Sequence, residues 1–506
     1  MYLRHVNFLS FPREVQDLFF SLGTVLSRSR DLGLSPIEIM NGFYGLKTAT
    51  TDSNAVLKVL RLLADHLKKI DEELPPRAIA GILKGINGMC CHVPAVQQVA
   101  GILADRLEKT DGIFNAMELG NCFYGLQSMS IDKKEVQNLV RALSLKLESS
   151  TDTFGNIFFA SALFGLRNMH SRHELIRDLL RQITEKIALS EEQFAPQTIS
   201  NSLYGLQNMS SDDPSVQNLL KELNSKIRQT GSSSMTTQGI GNAFYGLQCM
   251  NSKATEVQQL LLLLKDKIQH SAADRSEYLN PQEVGNSIYG LRHMSYLTPG
   301  MPEILQLLHE ETLYCVNLFT HIPSFSWERW MRVLFHSIVL TIPNIPDITS
   351  TMTKQYMDTI PALSALLLDW ETSQPDAKRE KDFASATEKR TFEILKARYS
   401  ADSNISLSSN TYLHHFEADI VLSLHGESSP VAVVNIEVDG APSHALSTSS
   451  RFQGYRDEYL RGKGVIVVRL KGDELRDLDH GNVSQTLESL LGGISFLDIQ
   501  QRLCSR

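Results

Sequence analysis

The stretch NSLYGLQNMS, residues 201–210, recurs along the chain with few changes. Close copies are NGFYGLKTAT from Asn41, NCFYGLQSMS from Asn121, NAFYGLQCMN from Asn242 and NSIYGLRHMS from Asn286, and weaker ones are GILKGINGMC from Gly81 and SALFGLRNMH from Ser161. The central glycine stands at Gly45, Gly85, Gly125, Gly165, Gly205, Gly246 and Gly290. These spacings are 40 residues four times, then 41 and 44. Such a period predicts an array of similar structural units.

Each repeat predicts two amphipathic helices joined by a short polar turn. Proline stands nine residues before the glycine in four repeats, preceded in two of them by Ser35 or Asn280, which is typical of an N-cap and a first helical residue. Apolar residues six and two before the glycine and one after it form one helix face. A second apolar series begins eleven residues past the glycine, as at Val216, Leu219, Leu220, Leu223 and Ile227. Because one pair cannot bury its own apolar face, seven in series predict an α-solenoid.

Small and aromatic residues of the motif indicate close packing between repeats. Residues five and three before the glycine are small in the central repeat, at Ser200 and Ser202, so that neighbouring helices can approach closely. An aromatic residue precedes the glycine in most repeats, for example at Tyr44, Tyr124, Tyr204, Tyr245 and Tyr289. An aromatic stripe at helical spacing is typical of packing between helices. We therefore expect these rings to fill the space between repeats.

The polar positions of the motif allow two interpretations. Asparagine stands four residues before the glycine at Asn41, Asn121, Asn201, Asn242 and Asn286. These amides either bond to the backbone of the next repeat or form a ligand surface. The residue two after the glycine is polar and variable: Lys47, Asn87, Gln127, Arg167, Gln207, Gln248 and Arg292. Amide and guanidinium groups that vary along a concave wall suit one-base-per-repeat reading of single-stranded RNA, and would suit an extended peptide nearly as well.

Composition limits the classes of function. The 506 residues suffice for an array plus one further domain, and the net charge of −8 means that any phosphate contacts require a local basic patch. Six cysteines show neither metal-ligand spacing nor a disulfide framework, which favours a reducing, intracellular compartment. No apolar run approaches transmembrane length, so no membrane insertion is expected. The arginine-containing N-terminus also holds Glu14 and Asp17, so we expect the cytoplasm, or an organelle matrix if this segment is a targeting sequence.

The repeats resemble the octotricopeptide-type repeats of organellar and some bacterial proteins, whose helix pairs form RNA-binding solenoids. The resemblance covers roughly residues 30–310. It implies single-stranded RNA as the partner, contacted by Lys47, Gln127, Arg167, Gln207, Gln248, Arg292, Asn121, Asn201, Asn242 and Asn286. The acidic net charge instead favours a protein partner for a solenoid of armadillo or HEAT type.

After about residue 300 the period is lost and a different pattern begins. FSWERWMRVLFHSIVL, from Phe325, predicts one or two helices that cap the array, and ETSQPDAKREKD (371–382) predicts a linker. A helix is predicted over 385–400, followed by strands over 414–424, 430–440 and 464–470, with another helix in RFQGYRDEYLRGKG between the last two. This order predicts a compact α/β unit.

Acidic residues meet at the ends of two predicted strands. Glu437 and Asp439 are two residues apart on one strand and share a face, and Asp419 on the paired strand can converge on them. Three carboxylates make an oxygen pocket for Mg²⁺ or Mn²⁺, which can polarise a phosphodiester and activate water. His444 is a candidate proton carrier, and Glu393 a candidate extra ligand. The alternative is that these are solvated acids at strand ends.

The string IEVDGAPSH, followed by RFQGYRDEYLRGKGVIVVRL, resembles a RAP domain and the very-short-patch-repair-like members of the PD-(D/E)XK nuclease superfamily. The resemblance covers roughly residues 385–480 and implies a restriction-endonuclease-like fold. It implies Asp419, Glu437, Asp439 and His444 as the metal-binding and catalytic set, with Arg456 and Asp457 in support. The sequence departs from the family pattern by an inserted Ala441, and by Asp439 where the wider superfamily has lysine.

The sequence thus predicts five segments: an N-terminal helical cap (1–34), an α-solenoid of octotricopeptide-like repeats (35–312), a helical C-cap (313–370), a linker (371–384) and a small α/β domain (385–506). We expect an RNA-binding protein whose repeats select single-stranded RNA and whose C-terminal domain cleaves it by metal-dependent hydrolysis. The alternatives are a non-catalytic RNA-binding factor and a protein-binding scaffold. The sequence does not determine the oligomeric state, the RNA target or the source organism, and a bacterial origin is among the alternatives.

Overall fold

A computed structural model describes residues 20–24, 26–27, 33–47, 49, 54–230, 235–274, 278–319, 325–373, 386–399, 403–425, 430–439 and 449–471. The chain is mostly helical, with many helices packed in sequence order and a small four-stranded mixed sheet near the C-terminus. It divides into two compact units, residues 2–322 with 333–359 and residues 323–332 with 360–506. Among the described helices, none is both long and apolar enough to cross a membrane.

Short and long helices alternate through the repeats. The short helices carry the motif and are α1 (Pro36–Tyr44), α3 (Pro76–Gly85), α5 (Ala116–Gly125), α7 (Asn156–Gly165), α9 (Pro196–Gly205), α11 (Thr237–Tyr245) and α13 (Pro281–Gly290). The long helices are α2 (Asn54–Lys69), α4 (Pro94–Lys109), α6 (Lys134–Ser149), α8 (Glu174–Leu189), α10 (Pro214–Gln229), α12 (Thr255–Asp274) and α14 (Met301–Phe319). Successive short helices pack on one another, and so do successive long helices. The predicted helix pairs are confirmed.

The predicted helix starts are present. Ser35 accepts the backbone N–H of Glu38, and the Glu38 carboxylate accepts the N–H of Ser35 at 2.8 Å, which makes a reciprocal capping box. Asn280 and Glu283 cap α13 in the same way. Proline is the first residue of α1, α3, α9 and α13, where a missing N–H costs nothing. These local signals fix the start of each short helix and hence the phase of its apolar face.

The motif glycine is explained by a close approach between successive short helices. A Cβ atom at Gly205 would lie 2.0 Å from the carbonyl oxygen of Leu163, and one at Gly165 would lie 1.9 Å from that of Phe123. Both clashing atoms belong to the backbone, which cannot relieve the clash by changing rotamer as a side chain can. Larger residues at this position would therefore push the short helices apart.

Cations near the ends of the long helices join successive repeats. Lys146 donates to the carbonyl oxygen of Thr110 at 2.6 Å, and Lys186 donates to that of Ser150 at 3.2 Å. Lys226 makes the same bond to the carbonyl oxygen of Ser190. Each acceptor follows the end of the preceding long helix, where backbone carbonyls lack a helical partner and the helix dipole favours positive charge.

Further helices follow the array. They are α15 (Phe325–Thr341), α16 (Ser350–Met357), α17 (Ile360–Ser373) and α18 (Ala386–Tyr399). The helices predicted from Phe325 and over 385–400 are confirmed. Of the predicted linker, residues 371–373 are the end of α17, and 374–384 lie outside the described residues.

The C-terminal sheet has strand order β1-β2-β3-β4, with β1 (Ile405–Leu413), β2 (Phe416–His425), β3 (Pro430–Asp439) and β4 (Val465–Lys471). The first three strands are antiparallel neighbours, and β3 pairs with β4 in parallel across α19 (Ser449–Gly462). The three predicted strands and both helices are confirmed. The sequence interpretation missed β1.

The two faces of this sheet differ in chemistry. Even-numbered residues, among them Ile420, Val434 and Ile436, form an apolar core with Ile394 and Leu395 of α18. Odd-numbered residues of β2, β3 and β4 point to the opposite face, since side chains alternate along a strand. Of the predicted acids, Asp419 and Glu437 have odd numbers, so the backbone places them on the polar face.

Candidate nucleic-acid interface and acidic site

One side of the short helices faces solvent, and it is called the short-helix face below. It is formed by the side chains eight, four and one residue before each motif glycine and three residues after it. The row at position −8 is the most exposed, with Ile37 at 61%, Met117 at 65% and Ile157 at 72%. Position −4, which holds the predicted asparagines, is half-buried at Asn121, Asn201, Asn242 and Asn286 and exposed at Asn41.

A continuous stack of five aromatic rings runs along position −1 of this face. Centroids are 5.7 Å apart between Tyr124 and Phe164, 5.5 Å between Phe164 and Tyr204, 5.7 Å between Tyr204 and Tyr245, and 5.8 Å between Tyr245 and Tyr289. Interplanar angles of 12 to 27° make every contact a stacked one. Burial, with the neighbouring Tyr289 and Tyr204, raises the pKa of Tyr245 well above its ordinary value. The prediction that these rings fill the space between repeats is confirmed for Tyr124, Tyr204, Tyr245 and Tyr289, and is wrong for Tyr44, which is 47% exposed.

The variable row at position +2 is a hydrogen-bond ladder between repeats. Arg167 donates to the side-chain oxygen of Gln127, Gln207 donates to the Arg167 carbonyl at 3.0 Å, and Gln248 donates to the Gln207 side chain at 3.1 Å. Arg292 then donates to the Gln248 side chain at 3.2 Å. Gln127, Gln207, Gln248 and Arg292 are all at least 93% buried. The described contacts of these predicted RNA ligands are therefore to neighbouring repeats.

Asparagines one turn further on complete the ladder. Asn168 donates to the carbonyl of Gln127 at 2.7 Å, and Asn208 donates to that of Arg167 at 2.8 Å. One of the two interpretations of the sequence expected such an amide-to-backbone ladder at position −4, whereas the structure has it at position +3. At position −4, Asn121 instead accepts a bond of 3.1 Å from Lys84.

Charge is distributed unevenly over these rows. Across positions −8, −4, −1, +2 and +3 of all seven repeats, the sequence holds five Lys or Arg residues and no Asp or Glu. The five are Lys47, Arg77, Lys84, Arg167 and Arg292. Arg167 and Arg292 also lie over the rings of Phe164 and Tyr289, at 4.4 and 4.2 Å from the centroids. Two of the five, Arg77 and Lys84, lie on the short-helix face, and the other three belong to the adjoining row at position +2; no acidic residue occupies either, although the net charge of the chain is −8.

The acidic site in the C-terminal sheet is built around Glu437 of β3. Its Oε1 accepts a hydrogen bond of 2.9 Å from Asn435, two residues earlier on the same face. Its Oε2 lies 2.9 Å from Nη2 of Arg456, which belongs to α19. Glu437 and Arg456 are both 7% exposed. From β2, Asp419 accepts the backbone N–H of Val438 at 2.8 Å, which places it beside β3, while the convergence of its carboxylate with those of Glu437 and Asp439 stays a prediction.

A second ion pair, between half-buried Arg469 and buried Asp457, adjoins the first. Arg469 of β4 donates twice to Asp457, at 2.9 and 2.8 Å, and Asp457 also lies 3.5 Å from Arg456. Although burial opposes the charge, the hydrogen bond to Asp457 raises the pKa of Arg469 above its ordinary value. The register of β3 and β4 pairs Glu437 with Arg469. Carboxylates and guanidinium groups therefore alternate along one buried network.

The predicted metal ligands are described only in part. The side chain of Asp439 and all of His444 lie outside the described residues. Among the described residues, no three His, Cys, Asp or Glu side chains come together as a metal-binding group. The Oδ1 atom of Asn435, however, is a buried oxygen beside Glu437 with no hydrogen-bond partner in the described structure. The expectation that Glu393 is an extra ligand is wrong, because Glu393 is exposed on α18, which packs on the opposite face of the sheet.

Two comparisons with known proteins were negative. Neither the scan against protein-family models nor the search of curated proteins found a match to this chain.

Proposed function

We propose that this protein binds single-stranded RNA along its short-helix face, as the RNA-binding α-solenoid that its octotricopeptide-like motif implies. The observation that carries the proposal is the charge of that face together with the adjoining row at position +2, five basic residues with no acidic one, beside a row of aromatic rings. A positive surface attracts the phosphate backbone, while amide and aromatic groups contact unpaired bases. The half-buried amides of Asn201, Asn242 and Asn286 are the side chains assigned to base contacts.

Binding of labelled RNA to the full chain tests the proposal. We expect single-stranded RNA to bind with an affinity that falls steeply as salt rises, because phosphate contacts release counterions. Replacing Asn201 and Asn242 together by Ala should weaken binding. The matched control replaces Arg61 and Arg141, exposed on the long helices, by Gln and should leave binding unchanged. If no RNA binds at low salt, the proposal fails and a protein-binding scaffold takes its place. If only the control variant loses affinity, RNA binds through the long helices and its assignment to the short-helix face is wrong.

A second candidate function belongs to the C-terminal domain, which we propose has a restriction-endonuclease-like fold and cleaves the bound RNA. The observation that favours it is the placement of Asp419 beside the strand of Glu437. Two carboxylates and the buried oxygen of Asn435 are the hard donors that Mg²⁺ or Mn²⁺ prefers, so the described residues fit such an ion. Asp419, Glu437 and Asp439 would hold it.

The chemistry of that site would be divided between the ion and the chain. A bound divalent ion supplies positive charge at the scissile phosphate and lowers the pKa of a water molecule. Asn435 and Arg456 hold the two oxygens of Glu437 in place, and the ion pair of Arg469 with Asp457 fixes the neighbouring helix. The contact of Arg456 with Glu437 also favours the alternative, a non-catalytic RNA-binding domain, because that carboxylate already has a positive partner.

Cleavage assays separate these two readings of the C-terminal domain. With Mn²⁺ or Mg²⁺, a nuclease should cut single-stranded RNA, and EDTA, Asp419→Asn or Glu437→Gln should each abolish cutting. The matched control is Glu393→Gln, an acid of the same domain on the opposite side of the sheet, which should retain activity. RNA that is bound and stays intact with wild-type protein and either metal would identify the non-catalytic alternative.

A further inference from the structure

We infer that the short-helix face is divided along its length, with repeats one and two binding RNA phosphates and repeats three to seven contacting bases. The inference rests on the proposed RNA binding and deepens it. It concerns two basic residues, Arg77 and Lys84, that the repeat pattern alone did not single out as ligands. It also concerns Lys47, which the pattern did single out.

The first two repeats carry cations where the later ones carry neutral residues. Lys84 occupies position −1 of the second repeat, which is filled by an aromatic ring in the other six. Arg77 lies at position −8 of the same helix, seven residues earlier and therefore on the same face, and it is exposed. Lys47 of the first repeat is exposed as well, with its Nζ 5.7 Å from the Tyr44 centroid. Arg77 and Lys84 thus lie on one face of α3, and Lys47 follows α1 in the adjoining row at position +2.

The cations of the later repeats have protein partners. Arg167 stacks on Phe164 and donates to Gln127, and Arg292 stacks on Tyr289 and donates to Gln248. Arg292 is only 6% exposed. The remaining face positions in repeats three to seven are amides, aromatic rings, apolar residues, small polar residues and one histidine. At most positions, the face of repeats three to seven therefore offers groups for hydrogen bonding and stacking and no exposed charged group.

The acidic residues at and before the starts of the first two short helices lie outside the face rows. Glu38 is bonded back to the N-cap residue Ser35, and Glu73 accepts a bond from Thr110. Asp71 and Glu72 are exposed in the loop before α3 and are not on the face rows. The Nζ of Lys84 is held 3.1 Å from Asn121 Oδ1, at the boundary with the third repeat and its aromatic stack.

This division separates affinity from sequence preference. Phosphate contacts are independent of sequence and carry the salt dependence of binding, about 0.7 in the slope of log K against log salt for each phosphate of a single strand. Contacts to base edges and ring faces carry the preference among sequences. The two ends of the array should therefore respond differently to salt and to base identity.

The experiment measures binding of the full chain to oligo(U), oligo(A) and oligo(C) of equal length over a range of salt concentrations. Arg77→Gln with Lys84→Gln should reduce the salt slope by about 1.4, which is two phosphates, and leave the affinity ratios among the three RNAs unchanged. Asn201→Ala with Asn242→Ala should leave the slope unchanged and alter those ratios by about tenfold. Arg61→Gln with Arg141→Gln, on the long helices, is the control for general loss of charge.

The outcomes test the division of the face separately from the proposed RNA binding. If the wild-type chain binds none of the three RNAs at low salt, RNA binding itself is wrong. If it binds and the Arg77 and Lys84 variant keeps the full slope, or the control pair loses as much, the division is wrong while RNA binding stands. A change in the affinity ratios by the Arg77 and Lys84 variant would also contradict it. Circular dichroism and thermal unfolding of each variant show that a loss does not come from misfolding.

Discussion

The array presents two faces of opposite character. On the long helices, the position sixteen residues past the glycine is basic at Arg61, Arg141, Arg181 and Lys221, and the position twenty past it is acidic at Asp65, Asp105, Glu185, Asp266 and Glu310. These rows are four residues apart, so opposite charges are neighbours in the two repeats that carry both, at Arg61 with Asp65 and at Arg181 with Glu185. The short-helix rows hold no acid at all. The net charge of the chain is a sum over both surfaces. A ligand that binds one surface meets only the charge of that surface.

Packing also differs between the short helices and the long helices. Successive short helices approach so closely that a glycine must face a backbone carbonyl, whereas the long helices pack through side chains. The tight layer brings equivalent rings of successive repeats within about 6 Å of one another, which allows them to stack. The short-helix face therefore has a fixed spacing of similar groups, and the predictions below test what maintains it.

The largest effect is expected from a glycine of the tight layer. Gly205→Ala would place a Cβ 2.0 Å from the Leu163 carbonyl oxygen, and separating the two helices should cost about 3 kcal/mol of unfolding free energy. Gly101→Ala on long helix α4 is the matched control, because the nearest atom to its Cβ would be Glu135 Cγ at 3.7 Å. That change should stabilise the chain by about 0.5–1 kcal/mol, since alanine favours helix. Urea unfolding measures both variants, and equal unfolding midpoints for the two would contradict the prediction.

The second prediction concerns the cation that joins two long helices. Lys226 is 6% exposed, and its ammonium donates to the Ser190 carbonyl at the end of the preceding long helix. Lys226→Met keeps the length of the side chain and should cost about 1–2 kcal/mol, because a carbonyl loses its charged donor. Lys221→Met, at an exposed site of the same helix, should change stability by less than about 0.5 kcal/mol. Equal losses in chemical unfolding would show that the bond contributes nothing.

Sequence periodicity predicted the helix pairs because apolar spacing and capping residues are local signals. It could not assign roles to the polar rows, since Gln207 and Gln248 look like exposed amides until the repeats are stacked and one donates to the other. The cation of Lys226 was missed for the same reason, because its acceptor is a backbone carbonyl of another repeat. Strand β1 was missed because ISLSSNTYL is rich in serine. Asp419 and Glu437 were found by spacing, but the pairing of Glu437 with Arg456 depends on how α19 packs.

A smaller effect is expected in the aromatic stack. Tyr204 stacks on Phe164 at 5.5 Å and on Tyr245 at 5.7 Å, and it is half-buried. Tyr204→Leu removes both ring contacts while keeping an apolar side chain, and should cost about 1 kcal/mol. Tyr204→Phe retains the rings and should leave the unfolding free energy within about 0.5 kcal/mol of wild type. A phenylalanine variant as unstable as the leucine variant would show that the hydroxyl, and not stacking, matters here.

The smallest effect depends on pH and involves the last long helix. Glu311 of α14 accepts the backbone N–H of Leu279 at 3.2 Å, and burial raises the pKa of this carboxyl above its ordinary value, with Glu310 and Glu283 adding to the rise. The folded state therefore favours the protonated form, so the stability gained from it is complete below the ordinary carboxyl pKa and is lost as pH rises through the raised pKa.

Glu311→Gln is neutral at every pH and keeps an oxygen that can accept the Leu279 N–H. The variant should match wild type in acid and exceed it near neutral pH by about 0.5 kcal/mol, a figure kept small because solvent screens part of the charge. Glu303→Gln, at an exposed site of the same helix, is the control and should follow the wild-type curve. Unfolding free energies measured in urea from acid to neutral pH would decide, and parallel curves for Glu311→Gln and wild type would mean that the buried carboxylate costs the fold nothing.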